Sequence, residues 1–422
     1  MKKLYKLDNA AKLFVSIKNK KNIPVFRVSA VLKEEIDKET LQKALDITIK
    51  RFPTLALSIK KGLFWNYFEE NNRKLLVQEE KYYPCYNIKS KLNNGYLIRV
   101  AFYKYRLSVE IAHSLADATS LITFLKSLLY HYFTLSSKII NDINEDIFKD
   151  NIHTIADYDD SFEVHTKNKK RSKKERRIKN IYLIKGKPLK IYGDNVIHGI
   201  LSLEKIKEES KKYNITITAY ILSVIAYSIY ETRIKNRYEG KNIVICIPVN
   251  LRKIFPSISL KNFFGITNIM VNTNKKLEFD DIVNIVQNEM KNKISKDYLE
   301  NFIYENTKLE NNIFAKFIPL FIKNFIINLV FKLFEDKTKT MTISNFGNIN
   351  LPDEMNEYIS HFEAVVYPTI NSPLNCGVCS FYDKLSITFN RTVIETDIIK
   401  YFFKYLSDVS EIEIYSNDFG VL

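Results

Sequence analysis

The sequence contains only four cysteines, Cys85, Cys246, Cys376 and Cys379. A small secreted domain held by disulfides would use a larger share, and the polar residues after Met1 are unlike a secretory signal. We therefore expect a reducing, cytoplasmic location. Cys376 and Cys379 have the spacing of half a zinc site, but no second Cys or His pair completes it. Because both lie in an alternating strand pattern, we interpret them as packing residues and expect no metal.

The sequence also lacks a charge-free apolar run of about twenty residues, the length that a transmembrane helix needs. Its most hydrophobic stretch, residues 313–334, is interrupted by Lys316, Lys323 and Lys332, and Pro319 breaks its first turns. This pattern predicts two amphipathic helices that pack on a core or line a pocket. Peripheral contact with a membrane surface is the alternative.

Positive charge is abundant, with 64 Lys and Arg against 48 Asp and Glu and a formal net charge of +16. Much of the excess lies in one run, residues 167–179, and no zinc-finger, helix-turn-helix or RNA-binding signature accompanies it. The charge therefore favours a phosphate-bearing small molecule or an acidic protein partner over nucleic acid.

Length and pattern indicate two domains. A chain of 422 residues that is 46% hydrophobic and 13% aromatic exceeds the size of one ordinary core. Strands and helices are mixed in two halves of similar size, separated by a polar, basic stretch. We predict an α+β fold in which a two-layer architecture is used twice: residues 1–160, a basic crossover linker at 161–190, and residues 191–422.

One segment carries a recognisable chemical pattern. A strand-like run, residues 107–111, leads to His113, and Asp117 follows just before a helix predicted at 119–132. A histidine at a strand end can act as a general base, because its unperturbed pKa is near neutral pH. Asp117 also suits a helix N-terminus, so a capping role explains it equally well. The sequence offers no Gly-x-Ser-x-Gly elbow and no clear Cys–His pair, which favours direct attack over a covalent intermediate.

This segment resembles the CoA-dependent acyltransferase superfamily, which includes chloramphenicol acetyltransferase, peptide-synthetase condensation domains, plant BAHD acyltransferases and alcohol acetyltransferases. Residues 112–118, Ala-His-Ser-Leu-Ala-Asp-Ala, are similar to its His-His-x-x-x-Asp-Gly signature. Further similar segments follow in the expected order, at residues 5–11, 26–27, 51–53, 247–252, 262–265, 343–347 and 351–352. The resemblance is strongest to bacterial alcohol acetyltransferases and covers nearly the whole chain.

Two positions depart from the signature. Ala112 replaces its first histidine, and Ala118 replaces its glycine. In the superfamily the second histidine is the catalytic one, and His113 occupies that position. Ala112 favours simple acyl transfer over condensation, whereas Ala118 would be costly if the turn required a positive φ.

The resemblance implies two chloramphenicol-acetyltransferase-like α/β sandwich subdomains with the active site in a tunnel between them. It implies an acyl-CoA co-substrate, acetyl-CoA in the first instance, with no permanently bound cofactor, and an alcohol as acceptor. His113 would be the base, and Asp117 would brace the loop by pairing with Arg252 or, as second choice, Arg27. Ser344 or Asn345 would bind the oxyanion or shape the tunnel.

Two other functions remain open. The same site could acylate an amine, with the acyl group delivered by an acyl carrier protein that docks on the basic linker. Alternatively, the chain could be a catalytically inactive interaction module, for which Ala112 and Ala118 are the supporting residues.

Overall fold

A computed structural model describes residues 3–18, 23–141, 147, 159–166, 178–189, 195–236, 240–308, 318–330, 338–369 and 372–416. Most of the predicted basic run, residues 167–177, lies outside these ranges. So do parts of the hydrophobic stretch, at residues 313–317 and 331–334.

The described strands form one small and two large sheets. In chain order they are β1 (Leu4–Lys6), β2 (Val25–Leu32), β3 (Leu57–Lys61), β4 (Asn66–Glu70), β5 (Val77–Glu79), β6 (Ile98–Tyr103), β7 (Arg106–Ala112), β8 (Asn195–Ser202), β9 (Asn242–Asn250), β10 (Phe264–Asn272), β11 (Met341–Asn348), β12 (Ile359–Val365), β13 (Leu374–Phe381), β14 (Lys384–Arg391) and β15 (Ile412–Ser416). The five-stranded sheet has the order β12-β2-β7-β6-β5, and the seven-stranded sheet β10-β9-β11-β13-β14-β8-β15. The small sheet is β1-β4-β3.

Helices accompany both large sheets. They are α1 (Asn9–Ile17), α2 (Lys38–Arg51), α3 (Ala118–Leu135), α4 (Ser161–His165), α5 (Leu203–Lys212), α6 (Ile217–Ile229), α7 (Phe279–Lys293), α8 (Lys296–Lys308), α9 (Leu320–Val330), α10 (Asp353–Asn356) and α11 (Asp397–Ser407). Helix α2 shows why they form where they do. Asp37 caps its first turn by accepting from the backbone N–H of Thr40, and Leu41, Leu45 and Thr48 are buried at helical spacing.

Each large sheet has its own hydrophobic core. Helices α2 and α3 pack with the five-stranded sheet around one core, and α6, α7 and α11 pack with the seven-stranded sheet around the other. This arrangement confirms the predicted α+β fold, in which a two-layer architecture occurs twice.

One strand crosses the predicted division of the chain. Strand β12 lies within residues 191–422, yet it pairs antiparallel with β2 in the five-stranded sheet of the first half. The chain then returns through β13 to the seven-stranded sheet. The two halves are therefore joined by an exchanged strand, which the sequence analysis did not anticipate. The boundaries at residues 160 and 190 stay a prediction.

A buried carboxylate fixes β12 between the two sheets. Glu363 accepts two hydrogen bonds from Arg106 of β7, at 2.9 and 3.0 Å, and one from the Tyr415 hydroxyl of β15, at 2.6 Å. Burial alone would raise the pKa of Glu363, but His198, His361 and Arg106 hold it well below its usual range. The carboxylate therefore stays charged, and partners from both sheets compensate its burial.

Strand β13 explains the two closely spaced cysteines. Cys376 is buried in the core of the seven-stranded sheet, whereas Cys379 is buried in the core of the five-stranded sheet. Side chains three positions apart on a strand point to opposite faces. The two thiols therefore contact different cores, and their environment is that of packing residues.

Helix α9 is the described part of the hydrophobic stretch. It lies against α1, where the Ser16 hydroxyl donates to Asn324 Oδ1 at 2.9 Å. Its outer face exposes large apolar side chains, among them Phe321 (74%) and Phe325 (69%). Among the described residues no single helix is long and apolar enough to cross a membrane. Helix α5 and the helical stretch Ile217–Ile234, which extends α6, pass that test together as a pair bent by 81°. Peripheral membrane contact stays a prediction.

The exchanged strand yields the first testable prediction. A Cβ added to Gly377 of β13 would lie 2.1 Å from the backbone oxygen of Ala364 in β12, a contact that only backbone movement can relieve. We expect Gly377→Ala to lower the free energy of unfolding by about 1–3 kcal/mol, the usual cost of overpacking. Urea denaturation measures this change. Gly265→Ala is the matched control, because its Cβ would meet only side-chain atoms at 3.3 Å or more; equal losses in both variants would contradict the account.

Candidate active site

Strand β7 ends at a cavity that residues of both halves enclose. The cavity has a volume of about 310 Å³, and His113, the first residue after β7, lies in its wall. Pro248 of β9, Phe264 of β10 and Ser344 of β11 line it from the side of the seven-stranded sheet. The backbone N–H of His113 donates to the carbonyl oxygen of Pro24 at 2.8 Å, which fixes the strand end.

The imidazole of His113 lies among aromatic rings. Phe14 stacks on it at a centroid distance of 4.3 Å, and the rings of Phe26 and Phe264 lie at 4.9 and 5.0 Å. Burial lowers the pKa of His113 to about 4. The charge of Asp117 and hydrogen bonds with Asn262 and with the backbone of His113 and Ala116 only partly offset this effect. His113 is therefore neutral at physiological pH, the form that can accept a proton.

One ring nitrogen of His113 already has a partner. Its Nδ1 lies 3.2 Å from Oδ1 of Asn262, in the loop before β10. Backbone groups of His113 and Ala116 also interact with the imidazole. The contact with Asn262 occupies Nδ1, so Nε2 is our candidate for receiving a substrate proton. Asn262 belongs to residues 262–265, one of the segments that resemble the acyltransferases, and the sequence alone predicts no role for it. Its contact with His113 joins residues 149 positions apart, a separation for which a single sequence contains no signal.

Asp117 holds the loop that follows His113. It is only 4% exposed, and its Oδ1 accepts from the backbone N–H of Ser120, which makes it the N-cap of α3. Its Oδ2 accepts from Arg252 Nη1 at 2.6 Å and from the backbone N–H of Phe263 at 2.8 Å. The carboxylate thus joins the first half of the chain to the segment between β9 and β10.

Arg252 makes further bonds within that segment. Its guanidinium donates to the carbonyl oxygen of Ser259 at 2.8 Å and to that of Lys261 at 2.5 Å. The structure therefore places Arg252 where the sequence analysis expected the partner of Asp117. The second choice, Arg27, is wrong for that position: it forms buried ion pairs with Glu110 and Glu80.

The two candidate oxyanion residues differ in their surroundings. Both Ser344 and Asn345 line the cavity on β11. The amide of Asn345 donates to the hydroxyl of Thr218 at 2.7 Å and accepts from the backbone N–H of Gly347 at 2.8 Å. Asn345 therefore already serves to hold the surrounding backbone, which leaves Ser344 as the better candidate to meet a substrate.

The two departures from the acyltransferase signature have local explanations. Ala112 is the last residue of β7 and is buried in the core of the five-stranded sheet. Ala118 is the first residue of α3, where the backbone is right-handed helical, so the glycine is not needed for a positive φ. Neither alanine disturbs the geometry around His113. Among the described residues no cluster of three or more His, Cys, Asp or Glu side chains could bind a metal ion.

Neither a protein-family profile nor a curated protein sequence matches this chain, but solved structures do. Polyketide synthase associated protein 5 from Mycobacterium tuberculosis is 14% identical, with a TM-score of 0.62 over 96% of this chain and 97% of that one. TRI101 from F. graminearum, solved with ethyl coenzyme A, is 10% identical, with a TM-score of 0.65 over 98% and 100%. A mutant starter condensation domain of rhizomide synthetase RzmA, in complex with C8-CoA and Leu-SNAC, is 11% identical, with a TM-score of 0.57 over 96% and 94%.

These proteins have the chloramphenicol-acetyltransferase-like fold of the CoA-dependent acyltransferases, and this chain has the same fold along nearly its whole length. The expected fold is thereby confirmed. A shared fold at such low identity does not establish an activity, because one fold can carry many functions.

The ion pair of Asp117 and Arg252 yields the second prediction. Arg252→Ala would leave a buried carboxylate without its cation, so we expect the free energy of unfolding to fall by about 3 kcal/mol. Chemical denaturation of the variant measures the loss. Lys253→Ala removes the neighbouring exposed charge and should change stability by less than about 0.5 kcal/mol. A similar small effect for both variants would show that the pair does not brace the loop.

Proposed function

We propose that the protein transfers an acyl group, acetyl in the first instance, from a CoA thioester to an alcohol. The observation that carries the proposal is the neutral imidazole of His113, held in the cavity wall through Nδ1 so that Nε2 remains for a substrate proton. The likeness to proteins solved with ethyl coenzyme A and C8-CoA supports a CoA thioester as the donor.

The reaction needs one base that acts twice. The acceptor hydroxyl gives its proton to Nε2 of His113 while its oxygen attacks the thioester carbonyl carbon. The resulting tetrahedral oxyanion collapses, the carbon–sulfur bond breaks, and the departing CoA sulfur takes the proton back from Nε2. No acyl-enzyme forms. The Ser344 hydroxyl is our candidate for donating a hydrogen bond to the oxyanion, a contribution that is often large when the donor is preorganised.

Asp117 and Arg252 have a structural role in this proposal. Both oxygens of Asp117 are used by Ser120, Arg252 and Phe263. Asp117 therefore holds the loop and the start of α3, and it acts on the base only through its charge.

The second candidate is N-acylation with a donor bound to an acyl carrier protein. The likeness to a condensation domain solved with Leu-SNAC favours it, whereas Ala112 favours simple O-acylation. Incubation with acyl-CoAs and a mixture of alcohols and amines, and separately with a loaded carrier protein, distinguishes the two by mass spectrometry. A folded protein that releases neither free CoA nor deacylated carrier protein, and acylates no acceptor in any mixture, would support the inactive interaction module instead. The cytoplasmic location also stays a prediction.

The third prediction tests the base directly. We expect His113→Ala to fold normally and to lower kcat by about 100- to 10,000-fold, the usual contribution of a general base. Turnover is measured as free thiol released from acetyl-CoA in the presence of the alcohol, and circular dichroism with a thermal melt checks the fold. Full activity in the folded variant would rule out His113 as the base.

A further inference from the structure

We propose that Asp8 and Asn262 are positioning residues that hold His113 as its Nδ1–H tautomer. The inference rests on the proposed function only where activity is the readout. Asp8 precedes α1 near the N-terminus, Asn262 precedes β10, and His113 follows β7. Three distant segments of the chain therefore meet in one line of hydrogen bonds behind the cavity.

Asp8 is 1% exposed, and both oxygens of its carboxylate accept hydrogen bonds. Its Oδ1 accepts from the backbone N–H of Ala11 at 2.7 Å, which caps α1. Its Oδ2 accepts from the side-chain Nδ2 of Asn262 at 3.1 Å and from the backbone N–H of Asn262 at 3.3 Å. Oδ1 also accepts from Nδ2 of Asn262, at 3.3 Å. Among the described residues, the partner of Oδ2 is Asn262, so this oxygen takes no part in the helix cap.

The donor and acceptor roles then follow in sequence. An ionised carboxylate only accepts hydrogen bonds, so the NH2 group of Asn262 must face Asp8. The amide oxygen of Asn262 therefore faces Nδ1 of His113, at 3.2 Å, and it also only accepts. Nδ1 must carry the proton, and a neutral imidazole has only one. Nε2 is left with the lone pair that a general base requires.

Helix capping alone does not explain a buried aspartate at this place. Asp37 caps α2 in the same way, through the backbone N–H of Thr40, and is exposed. Burial of a carboxylate is costly unless hydrogen bonds compensate it. Burial raises the pKa of Asp8 to about 7; Asp160 adds to the rise, while the bonds from Ala11 and Asn262 and the charge of Lys261 oppose it. The protein thus retains a buried carboxylate, at a cost in desolvation, where this group orients the amide next to the base.

The matched experiment compares Asp8→Asn with Asp37→Asn. Asparagine is as good an N-cap as aspartate, so both variants should fold. In Asp8→Asn the new NH2 group would face the two N–H donors of Asn262, and donors do not bond to each other. The Asn262 amide would therefore lose its fixed orientation, and His113 would no longer be held in one tautomer. We expect kcat to fall by about 10- to 100-fold, as for other groups that orient a functional histidine. The KM for acyl-CoA should stay within about twofold, and Asp37→Asn should match the wild type.

The pH profile separates positioning from a purely structural role. In the wild type, protonation of Asp8 near pH 7 removes an acceptor from Asn262, so kcat/KM should fall as the pH drops through 7 and should be lost when His113 protonates near pH 4. In Asp8→Asn the step near pH 7 should be absent. An unchanged step in that variant would overturn the inference.

An exchange of the two side chains provides a rescue. In the double variant Asp8→Asn with Asn262→Asp, the amide at position 8 would donate to the carboxylate at 262, which would accept directly from Nδ1–H of His113. We expect at least tenfold recovery of kcat over Asp8→Asn. The acid limb assigned to His113 should also move to higher pH, because a carboxylate in contact stabilises the imidazolium. No recovery in a folded double variant would contradict the inference.

A readout without activity keeps the two proposals distinguishable. Nitrogen-15 NMR of labelled histidine reports which ring nitrogen carries the proton, and His113 is assigned by the signal that His113→Ala removes. We expect Nδ1–H in the wild type at pH 8 and a mixture of tautomers in Asp8→Asn. If this tautomer pattern is observed in a protein that transfers no acyl group, it would support the inference and contradict the proposed function. An Nε2–H tautomer in the wild type would contradict the inference itself.

Discussion

The bond between Asp117 and Arg252 is the interaction on which the site depends. It crosses from the start of α3 to the segment between β9 and β10; the side chain of Asp117 is 6% exposed and that of Arg252 is 11% exposed. Arg252 also donates to backbone carbonyls of that segment, so the ion pair fixes a length of chain and not only a side chain. Asn262 belongs to this segment, so the position of the imidazole depends, through Asn262, on the ion pair of Asp117 and Arg252.

The exchanged strand β12 is the second constraint. A cavity between two sheets keeps its shape only if the sheets cannot slide past one another. Here Glu363 receives hydrogen bonds from strands of both sheets, and Gly377 lets β13 approach β12 closely. The Glu363 hydrogen bonds and the Gly377 contact both lie in the interior, where close packing tolerates little change in side-chain volume. The geometry around His113 is therefore set by contacts distributed over the whole chain.

Much of this could be predicted from the sequence, because the signals are local. The helix after Asp117, the strand before His113 and helix α2 all follow from periodicity and capping residues within short windows. The place of Arg252 came from a resemblance over several ordered segments. The partner of Nδ1 and the exchange of β12 could not be found in this way. Asn262 and Asp8 lie 254 positions apart, and which strand pairs with β2 depends on the competition among all edges in the folded protein.

The exchanged strand also limits how this protein can be divided. A cut in the basic linker looks natural from the sequence, since few large apolar residues lie there. Residues 1–160 alone would lack β12, however, and the edge of β2 would present an open row of backbone N–H and C=O groups to any other chain. The second half would in turn carry β12, a largely buried strand, without its pairing partner β2. Gene fusions, truncations and split reporters of this protein should therefore keep β2 and β12 in one polypeptide.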